Sequence, residues 1–258
     1  MQYERELEFA CRAAAEAGEN ARRMRASGIS AETKPDHSPV TAADRENERL
    51  LRELIAREFP HDAILGEEGT NRTGSSGRRW ILDPIDGTRD FVRGNRFWCV
   101  LLALEDEGEP AVGVAHFPML DETYWGARGC GSHRNGERLR VSWISDIGQA
   151  VLSLNGMHEM SAEPYASGMM DFMSRFWAVR SMGGGLDAAM LAAGQIDVWL
   201  ERKAEVWDLA PLKVIIEEAG GRFLALDGSS RIDRGNAVAC TPGLEAEVRR
   251  YFGIPTGR

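Results

Sequence analysis

Trp80-Ile81-Leu82-Asp83-Pro84-Ile85-Asp86-Gly87-Thr88 brings together the residue types of metal-assisted phosphate chemistry within one short run. An apolar stretch opens onto two carboxylates spaced i and i+3 around a proline, and a glycine and a hydroxyl follow at once. A strand ending there would deliver Asp83 and Asp86 to one edge as hard oxygen ligands, a donor set that suits Mg²⁺. Gly87 lets a ligand approach the backbone closely. If a helix starts next, the following N–H groups can receive a phosphate. The run therefore predicts metal-assisted phosphoryl chemistry.

Three further motifs accompany it in order: Val40-Thr41-Ala42-Ala43-Asp44, Gly66-Glu67-Glu68, and Trp207-Asp208-Leu209-Ala210 followed by Glu217-Glu218-Ala219-Gly220-Gly221. Across roughly residues 5 to 250 the chain resembles the inositol monophosphatase superfamily, the Mg²⁺-dependent, lithium-sensitive phosphomonoesterases. The resemblance implies an α/β (α+β) layered αβαβα sandwich of the sugar phosphatase kind, with the active site where two halves meet. It also implies two or three Mg²⁺ ions, a homodimer, and direct attack of a metal-activated water without a phosphoenzyme. In that scheme one metal activates the water and another stabilises the leaving alkoxide.

On that basis the expected metal ligands are Glu67, Asp83, Asp86 and Asp208, with the backbone carbonyl of Ile85 as a further oxygen. A single aspartate in a turn is ordinarily a solvated cap, but each of these acids ends an apolar strand or starts a helix. Buried like charges in one cluster are untenable without cations. Glu68 is the lesser member of its pair, because the family pattern assigns the first Glu to metal. The catalytic set is Asp44, Glu67 and Thr88. Thr88 either caps the following helix or orients the attacking water, with Asp44 accepting its hydrogen bond. Asp44 is in either case a capping-box partner for Thr41.

Substrate contacts are expected from Asp86, Gly87, Thr88, Gly183, Gly184, Glu201 and Asp208. Glu201 stands where the family places an acid for the leaving group's hydroxyls or amine; its plain alternative is an exposed strand-end carboxylate. Lys34 either closes on the phosphate or stays solvated. Gly183-Gly184-Gly185 departs from the Gly-Ser, Gly-Thr or Gly-Asp pair usual there, which leaves side-chain recognition of the leaving group in doubt.

The elements that must hold these groups follow from periodicity. Leu7, Ala10, Ala14, Ala17, Ala21 and Met24 predict a helix over 4–26, ended by Gly28. Residues 32–39, with two prolines and Asp36-His37-Ser38, predict an exposed loop. Thr41 begins a helix that buries Leu50, Leu51, Leu54 and Ile55 and stops at Phe59-Pro60. Strands are expected at 63–65, 97–104, 111–117, 122–128 and 137–142, the last two joined by the turn at Asn135-Gly136. Beyond residue 145, strands at 150–154, 176–181 and 198–200 alternate with helices at 161–175, 186–193 and 208–219, an open α/β pattern. The organisation expected is 1–145 as an α+β half bearing the signature and 146–258 as an α/β half that completes the site.

The 258 residues carry a formal net charge of −9, with 43% hydrophobic and 28% charged content. No basic stripe is available for a nucleic acid, and no apolar run reaches a membrane span. Cys11, Cys99, Cys130 and Cys240 are scattered, neither a zinc pattern nor a disulfide framework. A charged start without an apolar core suggests no signal peptide, so a cytoplasmic protein is expected. His116, His133 and His158 show no ligand spacing.

The expected substrate is a small phosphate ester. Thr33-Lys34-Pro35-Asp36, Phe91-Val92-Arg93-Gly94 and Trp207-Asp208-Leu209-Ala210 look more like histidinol-phosphate phosphatases than animal-type inositol monophosphatases. Inositol 1-phosphate comes next, then another sugar or nucleotide phosphate. The alternative from a different class is a regulatory, protein-binding role.

Overall fold

The computed structural model describes residues 2–28, 30–34, 39–69 and 71–255. Two sheets dominate them. A seven-stranded sheet runs Ala63–Gly66, Arg79–Asp86, Cys99–Asp106, Glu109–Phe117, Glu122–Ala127, Gly131–Arg134 and Glu137–Arg138 in spatial order. A five-stranded sheet is ordered Ala178–Arg180, Val151–Asn155, Val198–Glu201, Ala237–Cys240 and Arg222–Leu224. In the second sheet the first three strands are parallel, and Ala237–Cys240 runs antiparallel to both of its neighbours, Val198–Glu201 and Arg222–Leu224.

Helices fill the layers in an αβαβα order. Glu4–Ala26 and Ala42–Glu58 cover the outer face of the seven-stranded sheet, burying Leu51 and Ile55 fully, with Leu50 and Leu54 packed at their edge. Gly184–Ala192 and Val206–Glu218 lie between the sheets in one shared core. Met169–Ser174 and Glu245–Phe252 close the far side of the five-stranded sheet.

The helix Val206–Glu218, which carries Asp208, sits unusually close to the first sheet. Gly113 and Gly126 are cross-strand partners. A Cβ at Gly113 would lie 2.3 Å from the carbonyl oxygen of Pro211, and one at Gly126 would lie 3.2 Å from Ile215 Cα. Two facing glycines thus make the trough into which the helix settles.

Several expectations need correction. The helix expected over 161–175 is instead a short helix Met157–Met160, a 3₁₀ turn Ala166–Gly168 and the helix Met169–Ser174. Pro164 and Gly168 interrupt the pattern, since neither residue sustains a helix interior. The Asn135-Gly136 turn joins the strand Gly131–Arg134 to Glu137–Arg138, not the strand at 122–128, and residues 139–142 leave the sheet. Asn135 and Gly136 both take positive φ, as this turn demands. Within the expected loop, Ala31–Thr33 pairs antiparallel with Pro39–Thr41, while Asp36, His37 and Ser38 lie outside the described residues. Strands Arg222–Leu224 and Ala237–Cys240 and the helix Glu245–Phe252 add to the expected set.

Candidate active site

Asp83 and Asp86 share the end of strand Arg79–Asp86, where the pairing with Cys99–Asp106 shifts register between them. In an unbroken strand, residues three apart face opposite sides. The irregularity at Pro84-Ile85 turns both carboxylates toward one point, and the Ile85 N–H closes on Asp83 Oδ1 at 2.9 Å. Asp208 arrives from the first turn of Val206–Glu218, where its Oδ2 accepts the Glu205 N–H at 2.8 Å. One oxygen each of Asp83, Asp86 and Asp208 lies within 4.8 Å of the others.

Such a cluster resists ionisation. Burial first, then Glu67, Asp86 and Asp208, hold the Asp83 carboxyl well above the usual range. Burial pushes Asp86 up to about 6, although the Cys99 thiol and the Gly185 N–H partly offset it. Asp208 is pushed up to about 8 by burial and by Asp86. An all-oxygen set of mutually repelling carboxylates fits a hard divalent cation, whose charge would restore their ordinary acidity. Mg²⁺ therefore fits the residues present.

Glu67 borders this group by contact with Asp83 but stands outside the tightest three. Its Oε1 holds Lys34 Nζ at 2.8 Å, and Glu68 Oε1 holds the same ammonium at 2.5 Å. Lys34 is therefore neither solvated nor free to reach a phosphate here: it is tied to the acids. Burial opposes its charge, but the two carboxylates outweigh that and raise its pKa. The Glu68 N–H donates to Glu48 Oε2 at 2.7 Å, and a Cβ at Gly66 would meet that carboxylate at 2.6 Å. Glu48 lies one turn beyond Asp44 on the same helix face, so one helix sets both the acid pair and Asp44. Nothing in the sequence pattern singled it out.

Asp44 divides its two oxygens. Oδ2 takes the Thr41 N–H at 2.8 Å and the Thr41 hydroxyl at 2.6 Å, completing the expected capping box. Oδ1 faces the Thr88 hydroxyl at 3.3 Å, which also lies 3.2 Å from the Ile85 carbonyl. Thr88 does not cap the helix after it. Gly87, at φ 83°, is the capping residue, and Thr88 opens the helix Thr88–Arg93. Only glycine takes that left-handed backbone readily, and its N–H and that of Thr88 stand unused by the helix.

The glycine triplet lies opposite. A Cβ at Gly185 would fall 2.5 Å from Asp86 Oδ2 and 2.8 Å from Cys99 Sγ, and the Gly185 N–H donates to that same Asp86 oxygen at 3.1 Å. Gly183 has φ 124°. The missing side chains thus follow from close packing at Gly185 and Gly184 and from the positive φ at Gly183. Glu201 is buried, not an exposed strand end, with Oε2 3.0 Å from a Gly184 Cβ position. Burial, with Asp86 and Asp208 beyond it, raises its carboxyl well above the usual range. Cys99, Asn155 and Asp187 also border the site; sequence spacing gives no signal for them. His116 bonds Thr123 and His133 stacks on Trp125, both away from the acids.

Comparison with known proteins agrees with this geometry. The model of the inositol monophosphatase family matches residues 2–251. A histidinol-phosphatase of Mycobacterium tuberculosis is 39% identical over 84% of this chain and 85% of its own. An inositol-1-monophosphatase of Rhizobium meliloti is 35% identical over 78% of this chain and 77% of its own. Among solved structures, the extragenic suppressor protein suhB of Bartonella henselae superposes with a TM-score of 0.89 at 28% identity, covering 95% of this chain and 97% of that one. A family match over nearly the whole length, on a site with this arrangement of acids, leads to one conclusion: the chain belongs to the inositol monophosphatase family of phosphoric monoester hydrolases.

Proposed function

We propose that this chain is a Mg²⁺-dependent phosphatase whose substrate is histidinol phosphate. The observation that carries the metal reading is the group Asp83, Asp86 and Asp208, held within 4.8 Å with its carboxyls displaced upward. Asp83, Asp86, Asp208, Glu67 and the Ile85 carbonyl are the groups that would hold two or three Mg²⁺ ions, with inhibition by Li⁺ part of the same reading. Such ions would neutralise phosphate charge and acidify a bound water.

The protein's own groups do the positioning. A water donating to Thr88 Oγ would find that oxygen fixed, because the Thr88 proton is directed to Asp44 Oδ1 or the Ile85 carbonyl. Asp44 is locked in turn by Thr41, so the chain Thr41, Asp44, Thr88 orients a nucleophile without losing helix capping. The N–H groups of Gly87 and Thr88 are the phosphate cradle. Gly183 and Gly184 bring backbone close to the leaving group, and Glu201 supplies the carboxylate that meets its amine. A carboxylate gains more from an ammonium than from a neutral hydroxyl, which favours histidinol phosphate over inositol 1-phosphate, as does the similarity to the M. tuberculosis enzyme.

Chelation tests the first part: EDTA should abolish phosphate release and Mg²⁺ restore it, and full activity in excess chelator sinks the reading. Glu201→Gln tests the second. It should lose roughly 10- to 150-fold in kcat/KM on histidinol phosphate and much less on inositol 1-phosphate. A homodimer in a reducing compartment belongs to the same proposal, supported by the exposed Trp143, Met170 and Trp177 and by four free cysteines. Among the described residues no helix is long and apolar enough to cross a membrane.

A further inference from the structure

Glu201 enters the site without a countercharge: among the described residues no cation pairs with it. What borders it is a neutral amide. Asn155 and Glu201 close the neighbouring parallel strands Val151–Asn155 and Val198–Glu201, and they are register partners. Side chains paired across strands rise from the same face, so both project past the sheet edge toward the first turn of Gly184–Ala192. That turn contains Asp187, fully buried. Its carboxylate accepts the Met182 N–H at 3.2 Å, the Gly183 N–H at 3.3 Å and Asn155 Nδ2 at 2.9 Å.

An ionised carboxylate only accepts, so Asp187 dictates that the amide nitrogen of Asn155, not its oxygen, faces inward. The Ser181 hydroxyl, donating to Asn155 Oδ1 at 3.2 Å, completes that arrangement at the other end. With the amide fixed, strand register sets it beside Glu201, where Asn155 is the neutral neighbour that works against the effect of burial on that carboxyl. Asp187 thereby ties two things together: the glycine turn, through Met182 and Gly183, and the carboxylate, through Asn155.

We propose that Asn155 and Asp187 are positioning residues that set where the Glu201 carboxylate meets the leaving group; this rests on the assignment of Glu201 to the leaving group made above. Asp187 serves the helix start as well, but Asn155 caps nothing. Replacing it removes the link to Glu201 while leaving Asp187 its two backbone donors.

The test measures kcat/KM of wild type, Asn155→Ala, Asn155→Ser, Asp187→Asn, Glu201→Gln and the double variant Asn155→Ala/Glu201→Gln with Mg²⁺ on three esters. Histidinol phosphate and inositol 1-phosphate report leaving-group recognition; p-nitrophenyl phosphate reports the phosphate chemistry alone. The Asn155 variants should lower the ratio of histidinol phosphate to inositol 1-phosphate by about 5- to 10-fold, the size of one oriented hydrogen bond. Turnover of p-nitrophenyl phosphate should hold within about twofold, an outcome that general damage to the fold does not produce. The double variant should match Glu201→Gln alone, because Asn155 acts through Glu201. If Glu201→Gln shifts the ratio but the Asn155 and Asp187 variants do not, the positioning proposal is overturned and the leaving-group assignment stands. If Glu201→Gln leaves the ratio unchanged, both are overturned. Should Asp187→Asn fail to fold, the two Asn155 variants carry the same decision.

Discussion

Asp62 and Asp83 lie near opposite ends of the strand Arg79–Asp86, and each is 3% exposed. Their surroundings differ in kind. Asp62 Oδ2 receives the Arg78 guanidinium at 2.8 Å and the Trp80 indole N–H at 3.1 Å, and Arg78 reaches Glu6 as well at 2.7 Å. Asp83 receives one backbone N–H and otherwise faces Glu67, Asp86 and Asp208. Burying a carboxylate is costly in both places. At one end a cation of the chain offsets that cost, and at the other the chain supplies only more negative charge. A buried acid with its own guanidinium is part of the fold, and one left among other acids is the mark of a ligand site.

Neutralising each end in turn should have opposite consequences. Asp83→Asn or Asp208→Asn should lower phosphatase activity by several orders of magnitude, since a ligand charge is lost at constant size. In chelator the same variants should melt higher than wild type, because one repelling charge is gone, whereas Asp62→Asn should melt lower. An active Asp83→Asn enzyme, or equal melting shifts at the two ends, removes the distinction. Next in size is Thr88→Ala. It should cost roughly 10²-fold in turnover with little change in Mg²⁺ affinity by titration calorimetry, while Thr88→Ser stays near wild type. Retained turnover in Thr88→Ala would refute its part in orienting the nucleophile.

Proton linkage gives a third effect. Without divalent cation, folded Asp86 and Asp208 hold their protons up to about pH 6 and about pH 8. The unfolded chain releases them near the ordinary carboxylate range, about pH 4. Between those values the folded state binds more protons, so stability falls as pH rises. Melting temperature in EDTA should therefore drop from pH 5 to pH 8.5, and saturating Mg²⁺ should flatten the profile. A rising profile in EDTA contradicts the cluster's unneutralised state. The smallest effect belongs to the other end: Arg78→Met should cost about 2 kcal/mol in urea unfolding and leave kcat/KM within a few-fold. That figure is below the full value for a broken buried pair, because the Arg78 side chain is 26% exposed.

Contiguous features were legible in the amino-acid order. The run from Trp80 to Thr88 sets a strand, an irregular end and a helix start within a few residues, so Asp83, Asp86, Gly87 and Thr88 were bound to share one edge. The Thr41–Asp44 capping box is equally local, and so was legible. Local signals misled where side-chain periodicity outweighed its interruptions, as at 161–175, and left both readings of Thr88 open until the backbone's positive φ gave the cap to Gly87. The remaining contacts join segments far apart in the chain. Asp208 reaches Asp83 because Gly113 and Gly126 face each other and admit the helix. Lys34 joins Glu67 and Glu68, and Asn155 stands beside Glu201 only through strand register. Such meetings depend on how layers stack and strands align, and packing geometry between distant segments leaves no periodic trace in any one of them.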